Sequence, residues 1–293
     1  MTYVGEPDQD RPDVEEIVAY LLQLSKQPKR RVVRGVICGQ TVWVKRYDRG
    51  LPPLGKVIHE AISPFLWPAV LKASPHRNAR ELAEREARKI AAFRAAGLNV
   101  PQVFYRKGSF IVLSHEGVSL ESVLSDLRTR DPVAHDRLLA GCVDLLARVH
   151  NAGLCHGRPH KRDIVVEGDT WSFVDFEEEP EAVMPLGAAQ ARDVWLLFLR
   201  IAHSALDGDT PRRAFTAYRR SASEAVLEEL RTLVRIFRPL LPVLRVILRV
   251  RPGGDLDSVR IVTELIDREL DRPLPAITEA VNNDVVPADA DPL

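Results

Sequence analysis

Between His156 and Phe176 the chain reads HGRPHKRDIVVEGDTWSFVDF, and no other stretch restricts the fold as strongly. Two short runs rich in β-branched and aromatic residues, Ile164 to Val166 and Trp171 to Val174, flank the turn signal Glu167-Gly168-Asp169. That spacing predicts a small hairpin, and a hairpin returns the chain to the end it left. Asp163 and Asp175, twelve residues apart, are therefore expected at the same end of it.

The rest of the chain sets that hairpin in context. Val14 to Leu24 carries apolar residues at helical spacing, and Arg31 to Cys38 and Gln40 to Tyr47 read as two strands joined tightly at Gly39. A helix rich in Ala, Glu and Arg is predicted from about Asn78 to Ala96, ending at Gly97 with Pro101 beyond. Gln102 to Tyr105 and Ser109 to Leu113 read as two further strands, and from Leu120 onward the pattern is helical apart from the 164–174 hairpin. Leu51 to Ala73 is punctuated by proline, carries Phe65 and Trp67, and shows no period. There is no internal repeat. The expected organisation is a β-rich N-terminal lobe over 13–113 and a helical C-terminal lobe over 114–271. The segments 1–12 and 272–293, rich in Asp, Pro and Asn, are expected to be poorly ordered.

Composition bounds the function. The 293 residues, 45% of them apolar, suffice for two lobes. Forty-one basic side chains balance 41 acidic ones, which removes the usual electrostatic argument for a dedicated nucleic-acid binder and leaves room only for local basic patches, so no nucleic-acid partner is expected. Cys38, Cys142 and Cys155 form no C-x-x-C pair, so neither a disulfide framework nor a zinc site is indicated and a reducing cytoplasm fits best. The opening MTYVGEPDQD lacks the cationic and apolar regions of a secretory signal. Ile236 to Val250 is apolar but interrupted by Arg238, Arg245, Arg249 and two prolines, short of the roughly 20 residues a membrane span needs.

The stretch His156-Gly157-Arg158-Pro159-His160-Lys161-Arg162-Asp163, followed by Phe173-Val174-Asp175-Phe176, resembles the catalytic and metal-binding loops of the protein-kinase-like superfamily. It is similar in particular to the bacterial lipopolysaccharide core kinases (Kdo and heptose kinases) and to the aminoglycoside and choline kinases. The resemblance covers roughly residues 30 to 205 and implies an α+β, two-lobe protein-kinase-like fold with nucleotide between the lobes. It implies that Lys45, ending the alternating run Thr41 to Lys45, holds the α/β-phosphates. Glu86 is implied as its partner, ahead of Glu84 and Glu81. Ile111 to Gly117, with Leu113 and Glu116, resembles the hinge that receives adenine, and Asp193 resembles the aspartate that braces the catalytic loop. The implied ligands are ATP and Mg²⁺. Asp175 matches the principal metal ligand and Asp163 stands where the second, usually Asn, is found, and hard carboxylate oxygens suit that ion.

Two departures stand out. Arg158 occupies the position of the superfamily's catalytic aspartate, and a guanidinium cannot accept a proton near neutral pH. The reading leaves three routes open: His160 or Glu177 supplies the base, the transfer proceeds on positioning and charge stabilisation alone, or nucleotide is bound without turnover. The phosphate-covering loop has only Gly35 and Gly39. Each site residue also has a plainer role: Lys45 a solvated strand end, Glu86 one of several helix-surface charges, His160 a loop histidine, Asp163 and Asp175 turn formers, Arg158 a solvated side chain.

The resemblance implies ATP-dependent phosphoryl transfer to a hydroxyl of a sugar or glycolipid such as lipopolysaccharide core. A pseudokinase that regulates a partner and a nucleotidyl transferase are the alternatives. Leu51 to Ala73 and Arg231 to Arg251 mix basic and apolar residues in a way that suits peripheral contact with the inner-membrane surface. The second segment equally suits a core helix with snorkelling arginines.

Overall fold

The computed structural model describes residues 3–4, 12–25, 30–48, 78–250 and 253–274. Its N-terminal part is a five-stranded antiparallel sheet in the order β1-β4-β5-β3-β2. The strands are β1 (Tyr3–Val4), β2 (Val32–Ile37), β3 (Gln40–Arg46), β4 (Val103–Lys107) and β5 (Phe110–Ser114). The segment 51–73 and the residues of the tail beyond 274 lie outside the described residues. Tyr3 and Val4, expected to be unordered, pair with Arg106 and Tyr105. The exposed ladder of β4 offers them backbone partners that composition does not reveal.

The β2–β3 turn is the tight one expected. Cys38 (φ 50°) and Gly39 (φ 76°) both adopt left-handed backbone, the form whose twist suits a two-residue hairpin. Alternation then divides the sheet's faces. Val42, Val44 and Val112 pack with Ile17 and Leu24 of α1 (Val14–Ser25). Ile111 and Leu113, with Trp43 against them, join the core that includes Ile90 and Phe93 of α2 (Ala79–Ala95). By parity Lys45 and Tyr47 share the α2 side with Trp43. Gly35 of β2 lies beneath the Tyr20 ring of α1, where a Cβ would come within 2.2 Å of the hydroxyl. Its lack of a side chain is used by that packing.

The helix α2 starts on a capping box, with Asn78 Oδ1 accepting from Glu81 N at 2.9 Å and the Glu81 carboxylate accepting from Asn78 N. The C-terminal part contains α3 (Leu120–Arg130), α4 (Pro132–Asn151), α5 (Leu186–Ser204), α6 (Thr210–Arg219), α7 (Glu224–Phe237), α8 (Leu241–Val250) and α9 (Asp255–Glu269). A small sheet, β6 (Val118–Ser119), β7 (Ile164–Glu167) and β8 (Thr170–Phe173), precedes α5. One core runs from α2 and β5 through Leu146, Phe173, Phe176 and Phe198 to Ile266, so α2 is packed against both parts of the chain. The chain is thus α+β, with a β-sheet N-terminal region and a helical C-terminal region, as its sequence pattern implies. No described helix is long and apolar enough to cross a membrane.

Candidate active site

Lys45 sits near the end of β3 with 8% of its surface exposed. Glu86 is fully buried two helical turns inside α2, and its Oε1 accepts from Lys45 Nζ at 2.6 Å. Asp175 Oδ1 accepts from the same ammonium at 2.8 Å. The second Glu86 oxygen takes the Tyr47 hydroxyl, and Phe176 N donates to Oε1 at 3.4 Å. Burial alone would drive the lysine toward neutrality, but Asp175 and Glu86 outweigh it and its pKa is raised. Burial pushes the Glu86 carboxyl up, against the pull of Lys45. Burial also opposes ionisation of Asp175, yet the Lys45 charge beside it holds that carboxyl low.

Asp175 is aimed by its neighbours. Phe173 and Phe176 are buried, the latter packed edge-on against Phe93 at 4.7 Å and against His156 at 5.1 Å. Between them Asp175 adopts φ 70°, a left-handed conformation that non-glycine residues rarely take, and it lines the cavity. The loop opposite is fixed as well. Asp193 of α5 accepts from His156 N at 2.6 Å and Gly157 N at 2.8 Å, and the His156 ring meets Val174 O at 3.0 Å. Gly157 has φ 103°, and a Cβ there would come within 2.8 Å of Glu178 O. Only glycine lets the loop and the segment after Asp175 approach so closely.

The helix α2 ties down that segment too. Arg85 Nη1 donates to Glu177 O at 2.7 Å and Arg88 reaches Glu179 at 3.1 Å. Lys89 Nζ donates to His156 O, Glu178 O and Glu181 Oε1 at 3.0–3.1 Å. Residues one turn apart thus hold Lys45 and the 177–181 segment from a single helix.

Lys45, Leu113, Glu116, Arg158, Asp163 and Asp175 line one cavity of about 640 Å³, and Glu86 stands behind it, reached through Lys45. His160 does not line it. Its Nδ1 accepts from Arg162 N at 3.1 Å, and burial, with Arg162 and Arg200 nearby, pushes it down to about 4. The turn spends that nitrogen on its own backbone. Arg158, exposed at the cavity wall, has no carboxylate within 4 Å among the described residues. Arg31 and Glu177 also line the cavity and pair at 2.5 Å. Arg31 was not a sequence candidate, although it immediately precedes Val32, the β2 residue paired with Lys45. Tyr47 was missed as well, and its two-residue spacing from Lys45 is the signal that could have found it.

Asp163 is 7% exposed, and burial together with the Asp175 charge raises its carboxyl to about 7. A divalent cation would relieve that repulsion. Among the described residues no group of three or more His, Cys, Asp or Glu could hold a metal. Two carboxylates, with phosphate oxygens and water completing the shell, nevertheless suit Mg²⁺, and the site fits that ion on those terms.

No family model matches the chain, and no curated protein matches it. Solved structures of the Rio2 kinase from Chaetomium thermophilum are similar to it. Its complex with ADP/Mg²⁺ and phosphoaspartate has 15% identity and a TM-score of 0.39, covering 86% of this chain and 75% of that one. A second structure of that kinase has 15% identity and a TM-score of 0.38, covering 75% of this chain and 76% of that one.

Proposed function

We propose that the chain binds ATP with Mg²⁺ in the 640 Å³ cavity and transfers a phosphoryl group to a hydroxyl acceptor. The observation that carries this reading is Lys45, buried, charged and held by both Glu86 and Asp175. Two carboxylates remove the rotamer freedom of a long cation and present it as a fixed phosphate ligand. Asp163 and Asp175 would hold the metal, which when bound offsets phosphate charge. Leu113 and Glu116 lie where a base would rest, and Asp193 keeps the 156–158 loop in place. The likeness of the 156–176 stretch to lipopolysaccharide core kinases supports a sugar or glycolipid as the acceptor. One observation favours a second reading: with Arg158 for a carboxylate, His160 outside the cavity and Glu177 engaged by Arg31, the chain would bind nucleotide without turnover and regulate a partner.

The test is melting temperature with and without ATP, each with and without Mg²⁺. Ligand at about 100 times its Kd stabilises the folded state by roughly 2.7 kcal/mol. The expected result is a Mg²⁺-dependent rise that Asp175→Ala removes, and no rise at millimolar ATP overturns the reading. ADP release with an acceptor extract then separates transfer from binding alone, and an AMP-sized adduct would indicate nucleotidyl transfer instead.

A further inference from the structure

Every residue of α8 except Pro242, Arg245 and Arg249 is Leu, Ile or Val, yet only one side of the helix is covered. Leu241 and Leu244 are buried, facing the protein. Val243, Val246 and Ile247 are 58%, 59% and 41% exposed. At 100° per residue these three fall together on the outer face, while Arg245 and Arg249 share one flank. Leu240, just before the helix, is exposed as well. A helix apolar on both faces belongs in a buried setting, and a contiguous apolar face in water marks an interaction surface.

The charge pattern selects the occupant. Residues 230–254 contain six arginines and no Asp or Glu. Four of them are engaged on the protein side: Arg231 with Glu224 at 2.8 Å, Arg235 with Glu228 at 2.6 Å, Arg238 with Asp267 at 3.6 Å and Arg245 with Glu264 at 2.9 Å. Arg249 has no carboxylate within 4 Å among the described residues. A second copy docking by the same face would bring two Arg249 side chains together with no acid on the helix to meet them, a like-charge arrangement that opposes pairing. An anionic lipid surface instead accepts the apolar face among its acyl chains and the guanidinium groups at its headgroups.

We infer that α8 is a membrane-surface element that lays its Val243, Val246 and Ile247 face into an anionic bilayer with Arg249 at the phosphates. This goes beyond the nucleotide reading and does not depend on it.

Flotation of the full chain with phosphatidylcholine vesicles, with and without phosphatidylglycerol, tests it in the absence of nucleotide. Binding is expected only with phosphatidylglycerol and is expected to weaken as salt rises. Val243→Asp with Val246→Asp should abolish it at an unchanged melting temperature, since both side chains are mostly exposed. Arg249→Glu should weaken it about fivefold or more, given roughly 1 kcal/mol per basic residue at such a surface. No flotation with phosphatidylglycerol overturns the inference, as does flotation that the double variant retains. A dimer in size-exclusion chromatography that the double variant dissociates, with no vesicle binding, assigns the face to a second copy and overturns it equally.

Discussion

Lys45 and Arg158 line the same cavity, one from the five-stranded sheet and the other from the loop before β7, and the protein treats the two cations oppositely. Lys45 is buried and bound by Glu86 and Asp175, with Tyr47, Phe176 N and the whole of α2 arranged around that contact. Arg158 has a rigid backbone, set by Asp193 through the two preceding residues, and a side chain with no carboxylate partner among the described residues. The difference shows where stability and function are joined. At Lys45 removing a partner strands buried charge, whereas at Arg158 the fold invests nothing in the side chain.

The sharpest way to break that contrast is Glu86→Ala. It deprives Lys45 of its nearest partner and leaves the buried Tyr47 hydroxyl unpaired, so a loss of about 3–5 kcal/mol is expected, as when one half of a buried pair is removed. Urea denaturation measures it, and a loss under 1 kcal/mol would mean that Asp175 alone suffices for Lys45. Gly157→Ala is next. The added methyl meets Glu178 O and the φ of 103° is strained for alanine, a cost of about 1–3 kcal/mol. Because the strain falls on the loop that carries Arg158, it should also widen the Mg²⁺-ATP Kd. Stability lost with affinity unchanged would separate the loop from the site.

The same contrast explains what was legible in the sequence. Hairpins and helices were readable because alternation and capping are local: β7 and β8 with their turn, and α2 from Asn78 to Gly97. Asp163 and Asp175 were legible as a pair because the hairpin fixes their spacing, whereas Lys45, far away on β3, came only from the resemblance. The choice of Glu86 over Glu81 and Glu84 needed the helix's rotation about its axis, which packing of Ile90 and Phe93 decides. The grip of Arg85 and Lys89 on 177–181 spans about 90 residues and leaves no local trace. The contact of His160 with the backbone of its own turn cannot be seen from its identity.

A smaller effect tests Asp163, which is buried against the Asp175 charge and pairs with Arg162 at 3.5 Å. Asp163 ionises at about 7 in the folded chain, above the ordinary aspartate value of 3.8. A raised carboxyl pKa means the folded state holds its proton longer than the unfolded state does. Stability from this group is therefore present at low pH and is lost as pH rises from about 4 to about 7. Asp163→Asn should match the ligand-free parent at pH 4 to 5 and melt a few degrees higher above pH 7, about 2–4 °C per kcal/mol for a chain this size. A difference curve that stays flat across that range would show that Asp163 is solvated and already ionised near pH 4.

Arg158→Ala should have the smallest effect on stability, within about 0.5 kcal/mol, since an exposed side chain without a partner leaves nothing buried behind. Its consequence lies in binding. If the guanidinium serves the phosphates, Arg158→Ala weakens Mg²⁺-ATP severalfold and Arg158→Lys restores part of it, because an ammonium keeps the charge and loses the bidentate fork. If it serves the acceptor, nucleotide affinity is unchanged and only the acceptor KM rises. Replacement by Asp, the residue that the kinases this loop resembles carry at the matching position, then distinguishes a lost base from a gained ligand. Turnover that appears or rises in Arg158→Asp means that the loop geometry for transfer is intact and the arginine holds it back. Turnover that falls means that the arginine itself carries part of the reaction.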